Sequence, residues 1–337
     1  MTEMLDVTVV IVTFNSRMVI GDCLASIVNR NGPNTRILVV DNSSTDGTRY
    51  FVEHNYPQVE ILALEENFGF AKALNRSIPL VTTRFVCLVN PDTVLGAGVL
   101  SSLEKYAKHH PDCGIVAPSV VKIPSPLKIS SAGLEPTPAR MVNHFLGVSR
   151  FARALPFAEG LYILQRHLQY QQRADWVTGA CFLVSRADWV LVNGMSERWF
   201  MYAEDIDFCR RIRNLGKGVI CLASITVNHK VGQSSGSTLR DPRLHRSAWL
   251  LNLFDYYKTE LGGNRFGQLL WVLAAALGLS VRGIAFGLAS LLVKRQNRGN
   301  LADLSRRNLE TARDAMSLQM GQPRNTQMSK IGIRKFD

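Results

Sequence analysis

No CxxC pair occurs in this chain. Its six cysteines stand singly at positions 23, 87, 113, 181, 209 and 221, which excludes a zinc ribbon and a small disulfide scaffold. Cys87 and Cys181 lie inside apolar, strand-like runs and read as small core residues, the usage of a reducing compartment. The dinucleotide fingerprint GxGxxG is absent, and so is the phosphate loop GxxxxGKS/T. That argues against an NAD enzyme and against a P-loop nucleotidase. Residues 1–6 carry Glu3 and Asp6 but no base, and the apolar run at 7–12 is too short for a signal core, so no export signal is expected. There is no internal repeat and no long low-complexity tract.

What is present is a hydrophobic share of 46% in 337 residues. That suits roughly two domains, or one large α/β domain with an extension. The net charge of +12 is uneven: residues 240–337 hold 16 Lys/Arg against 7 Asp/Glu, nine of the twelve charges. The first 239 residues are nearly neutral, so no nucleic-acid partner is expected. The basic tail at 301–337 points to anionic lipid head groups or a phosphorylated lipid.

Strand and helix patterns alternate over the first 118 residues. Strands are predicted at 7–14, 36–40, 59–64, 85–89 and 114–117, with helices at 18–29, 48–54, 69–78 and 99–109. This alternation predicts an α/β fold, a mostly parallel sheet flanked by helices on both faces. Residues 119–174 are rich in Pro, Ser and Arg with weak periodicity, the mark of a variable insertion. A strand at 176–185, a polar helix at 201–214, short strands at 217–223 and 226–229 and a helix at 243–261 follow. The expected organisation is an α/β domain over 1–239, a helical segment over 240–300 and the tail. Residues 269–293 are strongly apolar but broken by Arg282. One helix of that length spans a bilayer, yet a central Arg costs roughly 2.5–3.5 kcal/mol there. A helix lying in the interface, with Arg282 snorkelling, fits better; a helix packed on the α/β domain is the alternative.

Four stations carry chemistry. Thr13-Phe14-Asn15 after the first strand, with Asp41 and the turn to Asp46-Gly47 after the second, offers polar groups suited to a nucleoside, or ordinary turn chemistry. Residues 65–75 hold Asn67, which can cap a helix, Gly69, which permits close backbone approach, and Asn75 two turns in. At Asn90-Pro91-Asp92 a buried strand runs into a carboxylate at the sheet's carboxyl edge, where open α/β folds bind ligands. Asp92 is there a natural ligand for a hard divalent cation and hence for a diphosphate. In Tyr202-Ala203-Glu204-Asp205-Ile206-Asp207, Asp205 shares a helix face with Phe208, Cys209 and Ile212 and can act as a general base; Asp207 pairs instead with Arg210 or Arg211. His229 can complete a metal site with Asp92.

Together these motifs resemble the inverting family 2 glycosyltransferases of GT-A fold, from Val7 to about Ser235, and within them the bacterial rhamnosyltransferases. The resemblance implies a single Rossmann-like sheet in a nucleotide-sugar-binding domain over 1–239, followed by a helical, partly apolar extension. It implies that Thr13, Asn15 and Asp41 hold base and ribose, with Asp46, Asn67, Gly69 and Asn75 in the donor site. Asn90 and Asp92 match the DxD motif, with Asn in place of the first Asp. Asp92 and His229 would bind Mg²⁺ or Mn²⁺, and Asp205, with Glu204 second, would be the base. The acceptor would sit at residues 176–180. The implied donor is dTDP-β-L-rhamnose, and the implied acceptor a lipid-linked or glycan cell-envelope hydroxyl. The apolar segment at 269–293 and the basic tail lead to a separate expectation, a cytoplasmic chain peripheral on the inner face of the cell membrane. A UDP-hexose or UDP-galactofuranose donor, and an inactive nucleotide-sugar-binding scaffold, are the alternatives.

Overall fold

The computed structural model describes residues 5–31, 35–122, 131–168, 173–230, 242–293 and 295–318. The chain divides into two compact units, Met1–Gly133 with Tyr162–Thr238, and Leu134–Leu161 with Leu239–Asp337.

The larger unit begins with β1 (Val7–Thr13), seven consecutive buried residues rich in β-branched side chains. Then come α1 (Ile20–Arg30), β2 (Arg36–Asp41), α2 (Thr48–Asn55), β3 (Glu60–Ala63), α3 (Phe70–Ser77) and β4 (Phe85–Val89). A three-residue β5 (Thr93–Leu95) precedes α4 (Val99–His109), β6 (Cys113–Lys122) and β7 (Ala132–Gly133). In the smaller unit lies α5 (Pro138–Phe145). The larger unit resumes with α6 (Gln165–Leu168), β8 (Arg173–Ala174), β9 (Trp176–Val177), β10 (Cys181–Ser185), α7 (Arg186–Leu191), α8 (Glu204–Asn214) and β11 (Gly218–His229). Helices α9 (Pro242–Glu260), α10 (Arg265–Leu292) and α11 (Arg295–Met316) return to the smaller one.

The main sheet runs β3-β2-β1-β4-β10-β6-β11-β5, with β8 also on β11. β3, β2, β1 and β4 are parallel, as the βα alternation predicts. The rest is more mixed than that alternation suggests. β10 lies antiparallel to both β4 and β6, and β5 and β8 run antiparallel to β11. The reason is the connection: among the described residues no single crossover helix joins β4 to β10, so nothing there imposes a parallel return. Where the sequence suggests two strands, β11 is one long strand with an irregularity between Leu222 and Thr226. A core of Val9, Ile11, Leu24, Val39, Cys87, Leu100, Val116 and Leu183 fixes the sheet against its helices. Cys87 and Cys181 are buried, and all six cysteines are free.

The smaller unit packs α5 and α11 on α10. Tyr256 Oη donates to Glu135 Oε2 at 2.9 Å, and Trp271 Nε1 donates to the carbonyl of Pro136 at 2.9 Å. Residues 134–161, inside the stretch that reads as an insertion, therefore belong with the C-terminal helices. Arg282 does not snorkel outward. It donates to the His144 carbonyl at 2.9 Å and lies 5.2 Å over the Phe145 ring. Burial, and then the Arg282 charge, push the His144 imidazole down to about 4, so it stays neutral beside that guanidinium. Residues 319–337 of the basic tail lie outside the described residues.

Candidate active site

The turn after β4 is closed from both sides. Asn90 N–H donates to the Ala180 carbonyl at 3.0 Å, and Thr93 N–H donates to the Asn90 carbonyl at 3.0 Å. Asp92 is thereby held in a buried position at the sheet's carboxyl edge. The β5–β11 register places His229 opposite Thr93, and Lys230 N–H donates to the Asp92 carbonyl at 2.9 Å. Two residues distant in sequence thus meet: His229 Nε2 lies 2.8 Å from Asp92 Oδ1. A carboxylate oxygen and an imidazole nitrogen suit a divalent cation of the Mg²⁺ or Mn²⁺ kind. Among the described residues no group of three His, Cys, Asp or Glu gathers. Two protein ligands, with substrate oxygens and water completing the shell, is the usual manner of a Mg²⁺ site that binds diphosphate.

Across the site, Tyr202 and Ala203 both adopt left-handed backbone (φ 69° and 72°) although neither is glycine. Such conformations are costly and persist where surrounding structure imposes them. The turn delivers Glu204 and Asp205 to the first turn of α8, where the helix dipole favours carboxylates. Asp205 Oδ2 accepts from Gly179 N–H at 3.1 Å and Oδ1 from Ile206 N–H at 2.9 Å. Glu204 is buried, and its Oε2 has no hydrogen-bond partner among the described residues. Burial, then the neighbouring Asp205 charge, push Glu204 well above the usual carboxylate range. Burial also raises Asp205, but its two backbone N–H donors oppose the rise. The upward push is thus unopposed by any neighbouring side chain on Glu204 and partly offset at Asp205, which makes Asp205 the better placed of the two to act as a base. Asp207 pairs with Arg211, whose Nη2 and Nε lie 2.7 and 2.8 Å from Oδ2.

A cavity of about 270 Å³ joins these walls. Asn67, Gly69, Asn90, Asp92, Glu204, Asp205 and His229 all line it. A roomier cavity of about 650 Å³ at the opposite end of β4, beside Arg84, Arg186 and Lys217, contains none of them. Residues 8–167 match the family model described as Glycosyl transferase family 2. The chain carries a family 2 glycosyltransferase domain. Over 290 residues this glycosyltransferase is 29% identical to the N-acetylglucosaminyl-diphospho-decaprenol L-rhamnosyltransferase of Mycobacterium tuberculosis, spanning 83% of this chain and 92% of that one. A 42-residue stretch is 48% identical to Rhamnosyltransferase WbbL of Escherichia coli, 12% of this chain and 16% of that one. In fold it is similar to the mannosyltransferase PcManGT of Pyrobaculum calidifontis, solved with GDP-Man and Mn²⁺. The TM-score is 0.56 at 18% identity, over 94% of this chain and 88% of that one. The fold is GT-A.

The remaining sequence-predicted residues of the glycosyltransferase are placed around the cavity rather than on its wall. Thr13 and Asp41 are register partners, and Thr13 Oγ1 donates to Asp41 Oδ1 at 3.2 Å. Asn15 braces the following loop, donating from N–H to Ser44 Oγ at 3.0 Å and accepting from Thr45 N–H at 2.8 Å. Asp46 accepts from the N–H groups of Arg17 and Thr48, both at 3.0 Å, and from the Thr48 hydroxyl. Burial alone would raise the Asp46 carboxyl, but these donors hold it below the usual range. Asn75 is turned away: its amide donates to the Met195 carbonyl at 2.8 Å and accepts from Met195 N–H at 2.9 Å. Asn42 lies within the polar turn the sequence marks out, but its own part in the site becomes visible only in the structure. Its Nδ2 donates to Asn67 Oδ1 at 2.8 Å, and its Oδ1 accepts from Phe68 N–H at 3.0 Å, so it holds the 67–69 turn at the cavity. Its only sequence signal is an Asn directly after a strand end.

Gly69 fixes the opposite side of that turn. Its φ is +81°, and an added Cβ would stand 2.7 Å from the Phe200 carbonyl oxygen and 2.8 Å from the Phe200 ring. Gly69→Ala is expected to destabilise the fold by about 1–3 kcal/mol, read as a lower urea midpoint. Gly47, with φ +84° but open space around it, gives the control. Gly47→Ala should lose only the backbone share, roughly 1 kcal/mol.

Proposed function

We propose that this glycosyltransferase moves L-rhamnose from dTDP-β-L-rhamnose to a hydroxyl of a lipid-linked cell-envelope acceptor, inverting the anomeric carbon. The observation that carries the reaction type is one cavity holding Asp205 on one wall and the Asp92–His229 pair on another. The choice of sugar and acceptor is supported by the relative in Mycobacterium tuberculosis, whose name states an L-rhamnosyl transfer to a decaprenol-linked diphospho-sugar.

Asp92 and His229 would hold Mg²⁺ or Mn²⁺. When bound, such a cation offsets the charge of the leaving diphosphate, worth several kcal/mol at the transition state. Asp205 takes the acceptor hydroxyl proton as the new C–O bond forms and the bond to diphosphate breaks, a general-base contribution of about 10²–10⁴-fold. Gly179 N–H keeps that carboxylate aimed. Thr13, Asn15 and Asp41, just behind the cavity wall, shape the end that takes base and ribose, Asn90 reaches the ribose, and the Asn42-braced turn at Asn67 and Gly69 walls the sugar nucleotide. Residues 176–180 receive the acceptor, and the reaction runs in the cytoplasm.

The test is donor turnover by the purified chain with Mg²⁺ or Mn²⁺, across dTDP-rhamnose, a UDP-hexose and UDP-galactofuranose. Turnover confined to dTDP-rhamnose is expected. Turnover of a UDP-sugar alone would replace the assigned donor. Binding without turnover of any donor would make the domain a nucleotide-sugar scaffold.

A further inference from the structure

Residues of the smaller unit hold 19 Lys/Arg against 9 Asp/Glu, ten of the chain's twelve net positive charges. The same unit carries most of the large apolar side chains that face solvent. Helix α10 is the chief contributor. Its inner face, with Trp271 and Ala275, is buried within the unit. Its outer face presents Leu270, Leu273, Leu277, Val281, Ile284 and Leu288, all exposed, at the three- and four-residue steps of one helical stripe. Arg282, the one charged residue between Phe266 and Leu292, is turned inward to His144. The stripe is therefore uncharged along nearly the whole helix, a length of about 42 Å at 1.5 Å per residue. The same unit also exposes Leu146, Phe151 and Phe157, with Arg150 and Arg153 between them in sequence and Phe157 77% open to solvent.

An ordinary soluble surface does not carry so long an apolar stripe without an occupant. We infer that this unit docks on an anionic lipid bilayer, with α10 lying in the plane of the interface and its outer stripe at the acyl boundary. Two physical arguments fix the occupant and the mode. An anionic bilayer accepts both the apolar stripe and the net positive charge. A second copy of the chain would match the stripe but set ten like charges against ten. The mode follows from α11, which packs along α10 where Gly283 and Gly287 meet Ser305. A spanning α10 would draw Asp303, Arg306, Arg307 and Glu310 of α11 into the acyl core, where charges are costly. The inference is independent of which sugar is transferred.

The experiment uses the full chain and vesicles of phosphatidylglycerol with phosphatidylcholine, against phosphatidylcholine alone. Co-sedimentation with the anionic vesicles is expected at low salt, at least tenfold weaker on neutral ones, falling as salt rises and reversed by alkaline carbonate. The triple variant Leu273→Glu, Leu277→Glu, Ile284→Glu should lose vesicle binding, yet keep the native melting temperature and rate of donor turnover. Should that variant fold poorly, Leu277→Trp reads the same surface. The emission it adds to that of the five native tryptophans should be quenched by lipids brominated near the head group more than by those brominated at the chain end. Failure to sediment at low salt would overturn the proposal, as would retention through carbonate, or a stable dimer that the glutamate substitutions dissociate.

Discussion

Asp205→Asn binds the sugar nucleotide with native affinity and transfers at least a hundredfold more slowly: this is the expected result if Asp205 is the base. The geometry argues for a selective loss. Both side-chain oxygens of Asp205 accept backbone N–H groups, from Gly179 and Ile206, so the amide retains one of these contacts and the shape of the turn. What it loses is the proton acceptor, and general-base catalysis contributes about 10²–10⁴-fold. Glu204→Gln is the matched control. Burial and the Asp205 charge push Glu204 well above the usual carboxylate range, and no backbone N–H of Gly179 aims it as it does Asp205, so its amide should leave the transfer rate within a few-fold. The pH profile gives a second readout. A base must be ionised to work, and burial raises Asp205 above the ordinary aspartate value. Activity should therefore fall as pH is lowered through that raised value, earlier than for an exposed aspartate, and this acid limb should vanish in Asp205→Asn. Native turnover in Asp205→Asn, with loss in Glu204→Gln, would reverse the two roles.

Asp92→Ala should abolish the metal dependence of donor binding. Calorimetric titration of dTDP, with and without Mn²⁺, checks it. The native chain should bind more tightly with the metal; the variant should bind equally weakly in both conditions, at least tenfold below the native chain with metal. Asp92 supplies the only carboxylate of the pair with His229, and a hard cation held by one imidazole alone is held poorly. Because Asp92 is buried, Asp92→Asn separates loss of the ligand from loss of shape. It should melt near the native temperature and still lose the metal effect. Undiminished metal dependence in both variants would move the cation elsewhere in the cavity.

Particular residues show why some of this was legible in sequence and some was not. β1, β2 and β4 announce themselves as buried apolar runs, because a strand covered on both faces needs no alternation. Asn90-Pro91-Asp92 and Glu204-Asp205 are legible because each sits at an element boundary, where chain pattern and chemistry coincide. β5 is not: three residues after a turn carry no periodicity. Yet β5 sets the register that brings His229 to Asp92. The role of Asn42 is equally hidden, since a buried amide joining two loops depends on contacts 25 and 26 positions away. Asn75 shows the converse. A polar residue two turns into a helix suits a donor site by sequence, and its amide is engaged by Met195 instead. Helix α10 could be recognised by hydropathy, but which face it buries depends on α5 and α11, and Arg282 faces inward for that reason.

The three-residue ladder between β5 and β11 also bears on heat inactivation. β5 ends the sheet, and among the described residues its strand partner is β11, through Val227, Asn228 and His229. Yet Thr93 and Leu95 are buried, and Leu95 belongs to the core that packs on α1. An edge held by buried contacts opens with the fold rather than ahead of it. Warming should therefore part the Asp92–His229 pair only as the sheet itself melts, so that activity and fold are lost at one temperature.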